Sequence, residues 1–129
     1  MWQDAPTRLM RGKEHGYKMR LHLADDMDRM TYFLGRNIDS DIQRMLDSIL
    51  RPGDTFVDVG ANVGRTTLHG AARVGPEGRV FSFEPQPECC ERIREAIADN
   101  NIKHVTLHNV GLSDAPSDLK LKEIGRAHV

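Results

Sequence analysis

A β-rich run, Thr55-Phe56-Val57-Asp58-Val59, breaks into Gly60-Ala61-Asn62-Val63-Gly64, and a helix-periodic stretch begins at once. A short strand that turns on glycine into a helix constrains the fold more than anything else in the chain. The pattern then repeats. The helical stretch reaches about Val74 and closes at Gly75-Pro76-Glu77-Gly78, and a second strand, Arg79 to Phe83, ends in Glu84-Pro85. Pro87 falls where a first helical turn tolerates proline. Cys90, Ile93 and Ile97, with Cys89 and Ala96 alongside, make the apolar stripe of that second helix, and Asn100-Asn101 ends it. A third strand, Val105 to His108, leads into Asn109-Val110-Gly111-Leu112-Ser113-Asp114. Strand, helix, strand, helix, strand at this spacing implies right-handed crossovers and a parallel sheet flanked by helices. The fold class is α/β.

Upstream the periodicity differs. Tyr17, Met19, Leu21 and Leu23 alternate with Lys18, Arg20 and His22, the mark of a half-buried strand. Ala24 to Asp28 reads as a polar turn and Arg29 to Leu34 as a returning strand, so an amphipathic hairpin is expected. From Ser40 the period becomes helical, with Ile42, Met45, Leu46, Ile49 and Leu50 on one stripe taken as core. Ser40 with Gln43 has capping-box spacing, and Arg51-Pro52-Gly53 stops the helix. The expected divisions are an N-terminal extension over 1–38, a ligand-binding part over 39–122 and a tail over 123–129.

At 129 residues the chain supports one compact domain, with 39% hydrophobic and 29% charged residues in the ordinary globular range. A formal net charge of −1 gives no electrostatic reason to expect nucleic acid or an anionic membrane as partner. No run approaches the roughly 18 apolar residues of a membrane span, and no signal peptide is expected from the first residues, which lack a basic region followed by an apolar one. Cys89 and Cys90 are adjacent and form no disulfide framework, which fits a reducing cytoplasm, the expected location.

Three places can carry chemistry. Gly60 permits a sharp turn and brings backbone amides near a ligand, while the following helix offers unpaired N–H groups and a positive dipole end. Asp58, at the strand end, can face a cationic group or order a water. Glu84 ends the next strand, 24 residues after Gly60, where a carboxylate accepts hydrogen bonds from both ribose hydroxyls of a nucleoside. Ser113-Asp114 follows the third strand, at the same edge of the sheet, and can read an adenine edge; it is also a good turn on its own account. The three loops are expected to converge on one adenosine-sized crevice. The six histidines show no metal-ligand spacing, so no metal is expected, and Asp25-Asp26-Met27-Asp28 lacks the glycine and distal glutamate of a calcium loop. Cys89 and Cys90 read as core residues rather than nucleophiles.

A dinucleotide fold favours G-x-G-x-x-G, whose second glycine admits a pyrophosphate. Asn62 stands at that position, which disfavours a nicotinamide-dependent oxidoreductase. A non-catalytic nucleotide-binding module is the other alternative. The run D-x-G-x-N-x-G resembles the first motif of Rossmann-like, class I S-adenosylmethionine methyltransferases. Gly53 to Gly64, Val80 to Pro87 and Gly111-Leu112-Ser113-Asp114 together resemble the FkbM-type methyltransferase domain, from about Tyr32 to Leu121. The resemblance implies S-adenosyl-L-methionine as cofactor and O-methylation of a small-molecule or carbohydrate hydroxyl. It assigns Gly60, Ala61 and Asn62 to the methionine end, with Asp58 nearby, Glu84 to the ribose and Ser113-Asp114 to the adenine, and Gly64 is counted with the cofactor-binding residues. Thr66 departs from the family, which often has an aromatic residue there.

Such a domain has about seven strands, and only three follow the leading helix. The family's later Lys-Ile-Asp-x-Glu-Gly-like segment is absent, so no catalytic residue is assigned. Glu123 to Val129 reads as a translated sequencing adapter, a non-native tail. The expectation is a cofactor-binding half, truncated after about the third core strand, inactive and poorly soluble alone.

Overall fold

The computed structural model describes residues 2–35 and 40–121. The strand–helix alternation read from Thr55 onward forms β3 (Thr55–Val59), α3 (Arg65–Val74), β4 (Arg79–Phe83), α4 (Pro87–Asp99) and β5 (Val105–His108). The three strands form a parallel sheet in the order β3-β4-β5. Thr55 pairs with Arg79, Val59 with Phe83, and Phe83 with His108, so all three strands end at one edge. The expected α/β order and its boundaries hold.

Helices α3 and α4 cover one face of this sheet. Ala71 and Val74 of α3 close on Val80, with Phe56 and Val105 packed against them, and Leu68 and Ala96 share a second cluster with Ile102. The family-like features thus rest on ordinary apolar burial.

Two strands precede these elements, β1 (Thr7–Arg11) and β2 (Lys18–His22), paired antiparallel with Thr7 opposite His22 and Arg11 opposite Lys18. The alternation expected over Tyr17 to Leu23 is present: Met19, Leu21 and Leu23 are buried and join Leu68, Ala96 and Ile102 in one cluster. Its partner strand is corrected. Arg29 to Leu34 belongs to a helix, α1 (Asp26–Leu34), and the hairpin's other strand is β1. Asp25 caps α1, its Oδ1 accepting from the amides of Met27 (2.9 Å) and Asp28 (3.2 Å). Gly35, at φ +67, ends it with an N–H donated to the Thr31 carbonyl. A side-chain cap satisfies amides that a strand would leave to a neighbour, which favours the helix here.

Helix α2 (Ser40–Ile49) is where expected but packs differently. Of the supposed core stripe, Leu46 is buried, while Ile42, Met45 and Ile49 are exposed. Ser40 lies inside the helix and the Gln43 side-chain oxygen is buried without a partner, so the capping box is not formed. Asp47 holds α2 to α3 instead, meeting His69 Nε2 at 2.7 Å and pairing with Arg73. The tail expected over 123–129 lies outside the described residues.

Candidate functional site

The site is built at the edge where β3 and β4 end. Gly60 has φ +76 and nothing within 4 Å of where a Cβ would stand, so the chain turns there beside open space. The amides of Gly60 and Ala61 both donate to the Phe83 carbonyl, at 2.9 and 3.1 Å, fastening the turn to the end of β4. Asn62 also has positive φ, +52. Gly64, at φ +93, begins α3 where helix α4 passes; a Cβ there would lie 2.9 Å from Ile93 Cγ1. No side chain caps α3, which leaves its first amides and its positive end for an outside acceptor.

Glu84 is buried, 6% exposed, beneath this turn. Its Oε2 accepts from the Asn62 amide at 2.7 Å and its Oε1 from the Gln86 amide at 2.9 Å. One carboxylate therefore joins the two loops. Each oxygen keeps a further acceptor site, the arrangement that a pair of vicinal hydroxyls matches. Asp58 is also buried, its Oδ2 accepting from Thr67 Oγ1 at 2.6 Å, and Thr67 meets Ser82 Oγ at 2.8 Å. Burial pushes the Asp58 carboxyl up from its ordinary value; the Thr67 hydroxyl opposes this and the charge of Glu84 adds to it. On its protein side Asp58 meets the Thr67–Ser82 hydroxyl chain.

Thus Asp58, Gly60, Ala61, Asn62, Gly64 and Glu84 come together. Ser113 and Asp114 are exposed, and the hydrogen bond they make is with each other, at 3.2 Å. The residue of that segment that reaches the crevice is Asn109, whose Nδ2 donates to the carbonyls of Glu84 (2.9 Å) and Pro85 (3.0 Å). Cys90 is core, as expected, its thiol on the Glu84 carbonyl at 3.1 Å. Cys89 instead faces the site, 3.4 Å from Asn62 Oδ1. Burial and then the charge of Glu84 push its thiol up, away from nucleophilic use.

The sequence reading missed Thr67, Ser82 and Asn109. A hydroxyl in the first turn of α3 and another beside it on β4 were visible signals for a partner to Asp58. It also missed Asp28, treated as part of a polar turn. Asp28 is fully buried and accepts from the His22 amide (2.8 Å), from Arg92 Nη2 (2.6 Å) and from Arg65. Partners 37 and 64 residues away leave no local pattern.

Known proteins resemble the chain in part of its sequence and in fold. The arsenite methyltransferase of Halobacterium salinarum is 34% identical over 56 residues, 43% of this chain and 14% of that protein. The protein-L-isoaspartate O-methyltransferase of Ignicoccus hospitalis is 40% identical over 58 residues, 45% of this chain and 28% of that one. The crystal structure of Pyrococcus horikoshii TYW2 in complex with MeSAdo superposes with a TM-score of 0.60 at 20% identity, covering 85% of this chain and 38% of that one. At that identity the likeness is one of fold, the Rossmann-like class I methyltransferase fold. The chain spans under a third of either curated relative. The family model for the methyltransferase FkbM domain matches residues 58–128, more than half of the chain, and the chain belongs to that family.

Proposed function

We propose that the chain binds S-adenosylmethionine across the ends of β3 and β4, as the cofactor half of an enzyme that methylates a hydroxyl of a small molecule or sugar. The observation that carries this is the Glu84 carboxylate bonded to the Asn62 amide within an open glycine turn. The fit is chemical. Two carboxylate acceptor sites suit a ribose diol, and the uncapped start of α3 suits an amino-acid carboxylate. Asp58 and Glu84 add negative charge beside a cationic donor, and the turn needs no room for a pyrophosphate. Bound there, the cofactor supplies an electrophilic methyl on sulfur.

The chain's own residues bind and orient. Methyl transfer is an in-line displacement, so fixing the donor's direction contributes to rate, and a hydroxyl acceptor must also lose its proton. No residue described here is assigned that proton. Ser113 and Asp114 are proposed to close on the adenine from the segment after β5. The relatives' names span arsenite and protein isoaspartate, so the acceptor rests on the family resemblance.

Titration calorimetry with S-adenosylhomocysteine and with NAD tests the reading. The thioether ligand should bind and the dinucleotide should not. Glu84→Gln should weaken binding at least tenfold, about 1.4 kcal/mol or more. Equal binding of both ligands, or an unaffected Glu84→Gln variant, would overturn it.

A further inference from the structure

Four elements meet at one buried carboxylate. Asp28 on α1 accepts from the His22 amide at the end of β2, from Arg92 on α4 and from Arg65, the first residue of α3. The side chains of Arg65 and Arg92 are 15% and 20% exposed and that of Asp28 is 1% exposed, so the pairing is mostly shielded from solvent. The two arginines are not arbitrary positions. Arg65 follows Gly64 and Arg92 precedes Ile93, and Gly64 and Ile93 mark the close approach of α3 to α4. Asp28 therefore grips both helices beside the contact that fixes where the 60–64 turn ends.

We infer that Asp28 is a positioning residue for the cofactor turn, through which the N-terminal extension sets the turn's geometry without touching the ligand. Two carboxylates then hold this turn, Glu84 at its middle through the Asn62 amide and Asp28 at its end through Arg65. An interaction between buried charges is stiff in a way a surface pair is not, because breaking it strands charge away from water. The inference rests on the cofactor reading above for its consequence in binding, but its local consequence, a looser turn, is independent of any ligand.

The experiment uses the 129-residue chain and three variants. Asp28→Asn keeps shape and removes the charge. Arg65→Gln frees the turn's end while leaving Asp28 with Arg92 and the His22 amide, and serves if Asp28→Asn does not fold. Arg20→Gln cuts another tie between extension and α4, the Arg20–Asp99 pair at 2.8 Å, which contacts neither end of the turn. Amide hydrogen exchange in the free protein should rise at least tenfold across residues 60–64 for Asp28→Asn and for Arg65→Gln, and stay unchanged for Arg20→Gln. Titration with S-adenosylhomocysteine should show a three- to tenfold weaker Kd for the first two and wild-type affinity for the third. Unchanged exchange at 60–64 in a folded Asp28→Asn or Arg65→Gln variant overturns the inference, as does an equal effect from Arg20→Gln. A wild-type chain that binds no S-adenosylhomocysteine overturns the cofactor reading instead, and the exchange data still decide the role of Asp28.

Discussion

The two faces of the three-stranded sheet carry the same alternation and meet opposite fates. On one, Phe56, Val80 and Val105 pack under α3 and α4, and Asp58 and Ser82 supply its polar end beneath the turn. On the other, Val57 and Val59 are 52% and 59% exposed, in register with Phe81 and Phe83. The strand order explains the difference. β3, β4 and β5 are laid down in one direction, so two right-handed crossovers put both helices on the same side. A period of two says which residues share a face; the direction of travel says which face is covered.

The largest test of that contrast is truncation. Leu68, 1% exposed, joins the helices to Met19 and Leu21, and Leu68→Ala should cost about 2–5 kcal/mol in urea melts. Val57→Thr with Val59→Thr should each stay within about 0.5 kcal/mol. Their effect should appear in sedimentation: an apolar face beside an edge of β3 that is unpaired among the described residues favours self-association, and the threonines should reduce it. A cost at Val57 matching that at Leu68 would mean the face is buried after all.

That contrast also marks what the sequence could say. From Thr55 to His108 each signal is local: glycine where φ is positive, proline opening α4, alternation on short strands. Those elements and the pairing of the 60–64 turn with Glu84 could be read directly. In the extension one deciding signal is local and was overlooked: Asp25 caps two amides within three residues and makes the supposed strand α1. The other is remote, because Asp28 finds its arginines on helices not adjacent in sequence. The stripe on α2 predicted burial that the described residues do not supply, because periodicity marks an apolar face but not a neighbour to cover it.

A second test concerns how the hairpin sits on the covered side. His15 is buried; burial, and then the charge of His69, lower its pKa to about 4. The Tyr17 amide donates to its Nδ1, so the neutral ring is the form that fits. The unfolded chain binds the proton more readily, with an ordinary pKa near 6.5. Stability from this group is therefore intact above pH 6.5 and lost as pH falls toward 4, by about 3 kcal/mol in all. Urea melts from pH 7.5 to 4 should show this slope, and His15→Gln should flatten it. An unchanged slope in the variant would assign the acid sensitivity elsewhere.

The smallest expected effect separates the covered face's chemistry from its packing. Asp58 has a raised pKa in the folded chain, chiefly from burial, so its contribution to stability is fully present below the ordinary carboxylate range and is lost as pH rises through the folded value. Above the folded value the chain thus carries the cost of a buried charge. Asp58→Asn keeps an oxygen to accept from Thr67 and removes that charge. It should melt slightly higher than the parent at pH 7 and no higher at pH 3, where the carboxyl is protonated in both states. Val57→Asn, one residue away on the uncovered face, should show no such pH-dependent gain. If Asp58→Asn melted lower than the parent at pH 7, the carboxylate would be a net stabiliser through the Thr67–Ser82 chain. The polar end of the covered face would then be part of the core's cohesion rather than a cost retained for a cationic ligand.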